Sequence, residues 1–222
     1  MTERREGIPM TPMQAILERH SVRSYESKPI PGEIRQELER EIHEVNQESG
    51  LRIQVLWDAA KVFEGKIKGA ENCIALIGKG PDLEERLGYY GARILLKIQM
   101  LGMNSVWVAS SFHKRAAAEL SIIEEGESLV NAIAFGYGTT QGNARKSKRM
   151  EKLCSVDGEM PDWFEQGMRA AMLAPTAINQ QQFQIRLKDG RVSLKAKLGV
   201  YSRVDLGIVR YFFEQGSGRS IS

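Results

Sequence analysis

Two arginines, a histidine and two serines stand within seven consecutive residues, Arg19-His20-Ser21-Val22-Arg23-Ser24-Tyr25. A guanidinium presents a flat fork of donors that matches phosphate oxygens two at a time, and hydroxyls can fill the remaining lone pairs. The stretch has the chemistry to hold a phosphorylated ligand. It also has the composition of a solvated basic helix end, where cations complement the negative pole of the helix.

Three other stretches carry polar side chains in patterns that could serve a ligand. Residues 61–69 hold three lysines and two glycines, as in a mobile or ligand-facing loop. Residues 142–152 hold Arg145, Lys146, Lys148, Arg149 and Lys152, a run whose ordinary fate is an exposed linker. Residues 174–181 place Pro175, Thr176, Asn179 and Gln181 together beyond an apolar helix pattern. Cys73 and Cys154 form no CxxC pair, and with three scattered histidines they offer no structural zinc site. They read as small buried residues.

Composition narrows the class. The chain has 222 residues, 42% hydrophobic and 27% charged, with a net charge of +3. That is an ordinary soluble composition, and too little charge to argue for nucleic acid. The polar start, Met1-Thr2-Glu3-Arg4-Arg5-Glu6, is followed by no apolar h-region, and no run approaches the length of a membrane span. These features point to a cytoplasmic protein.

Patterning then places the elements. Thr11-Pro12 starts a helix with a capping hydroxyl and a proline at the first turn. Ile34, Leu38, Ile42 and Val45 make an apolar stripe that predicts a helix over 33–45. Leu51, Ile53 and Val55 alternate as in a half-buried strand, and the apolar run 73–77 suits a central one. A helix over 91–101, a strand over 105–108, a short helix over 113–120 capped by Ser111, and a strand over 132–135 follow. A helix opens at Pro161. Two alternating runs flank Asp189-Gly190, the strongest hairpin signal in the chain. A final helix over 205–215 precedes a tail, 216–222, expected to fray. With no regular βαβ alternation and no GxGxxG or P-loop motif, the pattern fits an α+β domain.

An internal echo accompanies this order. Pro31 opens a helix leading to Asn46-Gln47 and a strand, and Pro161 opens one leading to Asn179-Gln180 and a strand. Residues 91–96 have a counterpart in 207–212. The division is 1–150 with the basic cluster, then 151–222 with the Asn179 segment, packed as one unit.

Taken together, these segments resemble the FMN-dependent nitroreductase family. Residues 19–25 resemble its R-x-S-x-R-x-[FY] signature, and Ala174-Pro175-Thr176-Ala177-Ile178-Asn179-Gln180-Gln181-Gln182-Phe183 resembles its A-P-S-x-x-N-x-Q-P-W signature. Residues 91–108 resemble its long core helix and strand, while Gly136-Tyr137-Gly138 and Arg145-Lys146-Ser147-Lys148 resemble its later "GYP" and basic segments. The second signature lies some 150 residues later than usual, which is similar to a divergent branch where one chain carries two copies of a half-fold. Gln182, Phe183 and Ala109-Ser110-Ser111 depart from the family's proline, tryptophan and glycines, and bear on substrate contacts more than on flavin.

The resemblance implies a nitroreductase-like fold, a mixed or antiparallel sheet flanked by helices, in a monomeric pseudo-dimer or a homodimer. It implies FMN, with Arg19, Ser21 and Arg23 on the phosphate and ribityl, Lys146 and Lys148 assisting, and Lys66 as a further cation. Thr176, Asn179 and Gln181 would reach the isoalloxazine edge, beside Pro175, with His20 a structural member of the signature and Ser110 at the glycine-like position. No side chain need be catalytic, because the flavin carries electrons from NADH or NADPH to a small-molecule acceptor. A flavin-binding protein without turnover and a basic nucleic-acid module using residues 145–152 are the other readings. The basic run lacks the interleaved aromatics that the last one needs.

Overall fold

Helices α3 (Leu83–Met100) and α6 (Ser202–Ser217) cross so closely that glycine is required at the crossing. A Cβ on Gly88 would collide with the carbonyl oxygen of Val204, and one on Gly207 with that of Glu85. This contact is the axis of the computed structural model, which describes residues 9–221. The leading Met1 to Glu6 segment lies outside the described residues.

Ahead of α3 come α1 (Pro12–Glu18), α2 (Gly32–Ser49), β1 (Gln54–Leu56) and β2 (Asn72–Gly78). The Thr11 hydroxyl accepts from Gln14 N while the Gln14 side chain accepts from Thr11 N, which starts α1 with a capping box. After α3 come β3 (Asn104–Val108), α4 (Lys114–Glu119) and β4 (Ser128–Gly136). The four strands form an antiparallel sheet in the order β1-β2-β4-β3. Alternation splits its two faces. Ile74, Leu76, Ile133 and Phe135 join the larger core with α2, α3 and α6, while Cys73, Ala75, Ile77, Ala132 and Ala134 pack with Val62, Phe63 and α4. Burial raises the Cys73 thiol to about 12, so it is inert.

The remainder holds β5 (Cys154–Val156), α5 (Asp162–Ala171), β6 (Phe183–Lys188), β7 (Arg191–Ala196) and α6. In this second sheet β6 pairs β5 in parallel and β7 antiparallel. The β6–β7 turn has positive φ at both Asp189 and Gly190, the geometry that the Asp-Gly pair anticipates. Phe183 and Ile185 face inward and join the core that also holds Leu95, Ile133 and Phe212. Residues from both sides of position 150 thus share one cluster.

Several sequence expectations need revision. The helix expected over 91–101 begins eight residues earlier, at Leu83. The strand read from Leu51 onward forms ladder pairs only over Gln54–Leu56, and β5 has too short an apolar pattern to register. α4 is preceded by His113 with no side-chain cap, so Ser111 does not cap it. The tail is not frayed through Ile221: its N–H donates to Glu214 Oε1, its carbonyl accepts from Arg210, and its side chain is buried.

Candidate ligand-binding cleft

The basic signature is fastened to the sheet along its length. α1 ends when Arg19 turns to extended backbone, although its N–H still donates to Ala15 O. Val22 N then donates to Ser105 O on β3, and Tyr25 N to Lys68 O. Buried Tyr25 places its hydroxyl 2.8 Å from Val22 O and 3.2 Å from Ala134 O. Burial raises that phenol well above its ordinary value, so it stays a neutral structural anchor.

Between this segment and residues 175–179 lies a cleft of about 460 Å³. His20, Ser21 and Arg23 line one side, and Pro175, Thr176, Ile178 and Asn179 the other. Trp107, Ile208, Asn143, Arg145 and Asp205 complete it. Charged, hydroxyl and amide side chains thus share the cleft with apolar surface from Trp107, Pro175, Ile178 and Ile208, a mixture that suits a flat, charged small molecule.

Beside the cleft, Arg19 is 3% exposed, and its Nε and Nη1 have no hydrogen-bond partner. Only Nη2 finds one, a long 3.4 Å contact to Ser21 Oγ. Burial, and then the proximity of Arg145, lower the Arg19 guanidinium to about 9; Tyr25 opposes this weakly. Burial likewise lowers Arg145 to about 10, although one Nη donates to Leu173 O. Among the described residues no carboxylate pairs with either guanidinium; leaving buried Arg19 so unpaired is costly, and an anion beside the two would relieve it.

The opposite wall is a clasp between two chain segments. Asn179 Nδ2 donates to Lys146 O, Gln181 Oε1 accepts from Lys148 N, and Gln181 Nε2 donates to Ser147 Oγ and Met172 O. Lys148 Nζ in turn reaches Gln180 O and Gln181 O. Both oxygens of Asp205, on the first turn of α6, accept from Ala177 N, and one also accepts from Gln180 Nε2. These bonds hold Ile178, Asn179 and Gln181 at positive φ, a strained state for side-chain-bearing residues. Burial raises the Asp205 carboxyl to about 6 despite those donors.

The structure therefore brings together His20, Ser21, Arg23, Pro175, Thr176 and Asn179, with Arg19 adjoining. It does not bring the others to the cleft. Gln181 is buried and occupied in the clasp, and Lys148 is spent on carbonyls. Lys146 is exposed and outside the cleft lining. Lys66 lines a different basin, and Ser110 lies on a separate depression with Tyr201 and Phe112. Among the described residues no three His, Cys, Asp or Glu are grouped as for a metal. Sequence reasoning missed Arg145, grouped with the run but not singled out, and Asp205, whose acid at a helix start looks like ordinary dipole complementarity. Trp107, in the apolar run 105–108, carries no sequence signal beyond that of a strand.

A family model described as "Putative TM nitroreductase" matches residues 11–217. Among solved structures, a Thermotoga maritima protein described as a "putative nitroreductase" is 19% identical, with 97% of this chain and 88% of that chain covered and a TM-score of 0.68. A Desulfovibrio desulfuricans protein described as a "putative nitroreductase in complex with FMN" is 20% identical over 68% of this chain and 96% of its own, with a TM-score of 0.52. A Parabacteroides distasonis "putative NADH dehydrogenase/NAD(P)H nitroreductase" is 17% identical over 64% and 95%, also at 0.52. No curated protein matches. The mixed α+β architecture with antiparallel strands flanked by helices is the nitroreductase fold of these structures.

Proposed function

This chain belongs to the putative TM nitroreductase family, and from that membership we propose that it is an FMN-dependent NAD(P)H oxidoreductase. The carrying observation is the buried Arg19 guanidinium, with two donors unpartnered, next to Arg145. A phosphate monoester, near −2 at neutral pH with several acceptor oxygens, is the chemical complement of that pair.

The residues fit the flavin nucleotide. Arg19 and Arg145 would hold its phosphate, with Ser21 and Arg23 beside them. Pro175, Ile178, Trp107 and Ile208 offer apolar surface for a flat ring system, and the Thr176 hydroxyl and Asn179 carboxamide offer polar groups at its edge. Bound FMN would supply reversible hydride acceptance at N5, alternately from NADH or NADPH and to a nitroaromatic, quinone or similar acceptor. The protein's part is to bind, orient and shelter the group. Asp205 and the clasp at residues 145–148 fix the wall, and no side chain needs to act as nucleophile.

One chain supplies both walls in this reading. The order helix, strand, strand, helix occurs as α2-β1-β2-α3 and again as α5-β6-β7-α6, with Pro31 and Pro161 preceding the first helix of each. That order supports an internal duplication with a single site per chain, in a monomer or a homodimer. Arg145, which lines the cleft, and Lys148, outside its lining, are both engaged with backbone carbonyls, which favours the flavin reading over a nucleic-acid module. No described helix is long and apolar enough to cross a membrane, and a cytoplasmic setting suits the reducing chemistry.

The test is an absorbance spectrum of the purified protein, followed by NADPH or NADH without air. Flavin bands that bleach on addition are expected. A colourless protein that takes up no FMN on soaking overturns the proposal, and a yellow protein that neither nucleotide bleaches leaves flavin binding without turnover.

A further inference from the structure

The two most exposed large apolar side chains among the described residues, Leu198 at 98% and Ile178 at 88%, stand on neighbouring loops. Val200 and Tyr201 add exposed apolar surface on the first of these, which joins β7 to α6. The loops are bonded to each other. Gln180 Nε2 donates to Val200 O, Lys197 N donates to Gln182 O, and a Cβ on Gly199 would collide with the Gln180 carboxamide. Tyr201 is held at positive φ, and its carbonyl accepts from Asp205 N at the start of α6. Single apolar residues are ordinary on a surface, but a cluster held out by fixed backbone marks an interaction face.

Cations outnumber acids around that cluster. Lys195 and Lys197 precede Leu198, and no Asp or Glu occurs from 190 to 204. On the other side Lys146 O accepts from Asn179 and Lys148 Nζ reaches Gln180 O, which brings in a second stretch without acids, 142–150. Lys146 and Lys195 are exposed. Lys148 Nζ and Lys197 Nζ meet backbone carbonyls rather than carboxylates, so their charge is not neutralised. Two acids lie on the Tyr201 side, where Asp82 pairs with Arg203 and Glu84 shares a depression with Lys114.

We infer that the loop over residues 197–201, with its basic flanks, docks the protein on an anionic lipid surface. Hydrocarbon takes the aliphatic tip, Tyr201 lies at the interface, and the headgroup phosphates meet the lysines. A second copy is a poorer occupant, because a two-fold contact presses the same lysines together. A nucleic acid has phosphates for the lysines but nothing to match Leu198 and Val200. For its purpose the inference rests on the flavin reading: Ile178 also lines the cleft, so docking turns the cleft mouth toward the lipid and toward an electron acceptor dissolved there. Docking itself needs no flavin.

The experiment sediments the full chain with vesicles of phosphatidylcholine alone, or with one lipid in three replaced by phosphatidylglycerol. Binding about tenfold or more tighter to the anionic vesicles is expected, with the preference shrinking as salt rises. Leu198→Ser/Val200→Ser and Lys195→Gln/Lys197→Gln should each weaken that binding by about fivefold or more, while FMN content stays at the wild-type level. Native Cys73 and Cys154 are buried, so a fluorophore can be placed on Leu198→Cys, where its emission should shift to the blue on anionic vesicles. The same label on Ile122→Cys, exposed and followed by Glu124 and Glu125, should not shift. No binding to anionic vesicles, undiminished binding by both loop variants, or a shift at both labels overturns the inference. So does a concentration-dependent dimer that Leu198→Ser/Val200→Ser abolishes, which would give the face to a second copy. Docking by a chain that takes up no flavin sinks the functional reading and leaves the lipid surface assignment standing.

Discussion

Burial first, and then neighbouring Arg145, lower the Arg19 guanidinium to about 9, and among the described residues no acidic side chain pairs with either arginine. A protein that folds around such a pair stores an electrostatic cost that only an anion can remove. Ligand affinity and ligand-free stability are therefore opposed at this point of the structure.

Arg19→Met tests that opposition. The substitution keeps much of the buried stem volume and removes a charge with two unpartnered donors. Ligand-free protein should gain about 1–4 kcal/mol, a rise of several degrees in melting temperature. FMN affinity should fall by about a hundredfold or more. Calorimetric melting with and without FMN checks both arms, and a variant less stable than wild type in both states would show that Arg19 is structural.

Asp205 gives the pH dependence. Its carboxyl is raised from 3.8 to about 6 by burial, which outweighs the Ala177 and Gln180 donors. The folded chain thus binds more protons than the unfolded chain between those values. This contribution to stability is present in full below about 4 and is lost as pH rises through 6. The gap of about two units is worth about 3 kcal/mol. Urea denaturation from pH 4.5 to 7.5 should show a falling term in wild type that Asp205→Asn lacks, and parallel profiles would refute the assignment.

The clasp predicts a contrast between neighbours. Gln181→Ala leaves Lys148 N, Met172 O and Ser147 Oγ without their buried partner, and should cost about 2–3 kcal/mol. Lys146→Ala, at an exposed position, should alter stability by no more than about 0.5 kcal/mol. Chemical denaturation of the two variants separates them, although both residues belong to segments that read alike as ligand contacts.

That contrast shows where the sequence stops being readable. Period and capping marked α1, the Asp189-Gly190 hairpin and the central strand at residues 72–78, because local chemistry decides those elements. The meeting of Ser21 with Thr176 across the cleft was expected through resemblance, since composition carries no trace of a contact spanning that much chain. The direction of each polar side chain was not legible. Gln181 and Lys148 have the types of ligand contacts, yet positive φ at Gln181 turns its amide into the protein. Arg145 had the types of a linker residue, and burial next to Arg19 gives it a site. Such assignments follow from the final packing, which no short window of sequence contains.

The crossing of α3 and α6 yields the last prediction, and it concerns the cleft as much as the fold. Gly207 lies two residues after Asp205 and one before Ile208, both of which line the cleft. An alanine at Gly207 meets the backbone at Glu85 and Tyr89, which cannot rotate away as a side chain would, so the helices must separate. Gly207→Ala should cost about 3 kcal/mol or more, and in whatever protein still folds, displacement of the α6 start should weaken FMN binding. Gly32→Ala is the control. Its Cβ meets nothing within 4 Å at the first position of α2, and the change should be neutral or stabilising by about 0.5 kcal/mol. Melting curves with and without FMN for the two variants test the point. A Gly207→Ala protein of wild-type stability and affinity would show that the two helices are free to slide, and that the cleft does not depend on their contact.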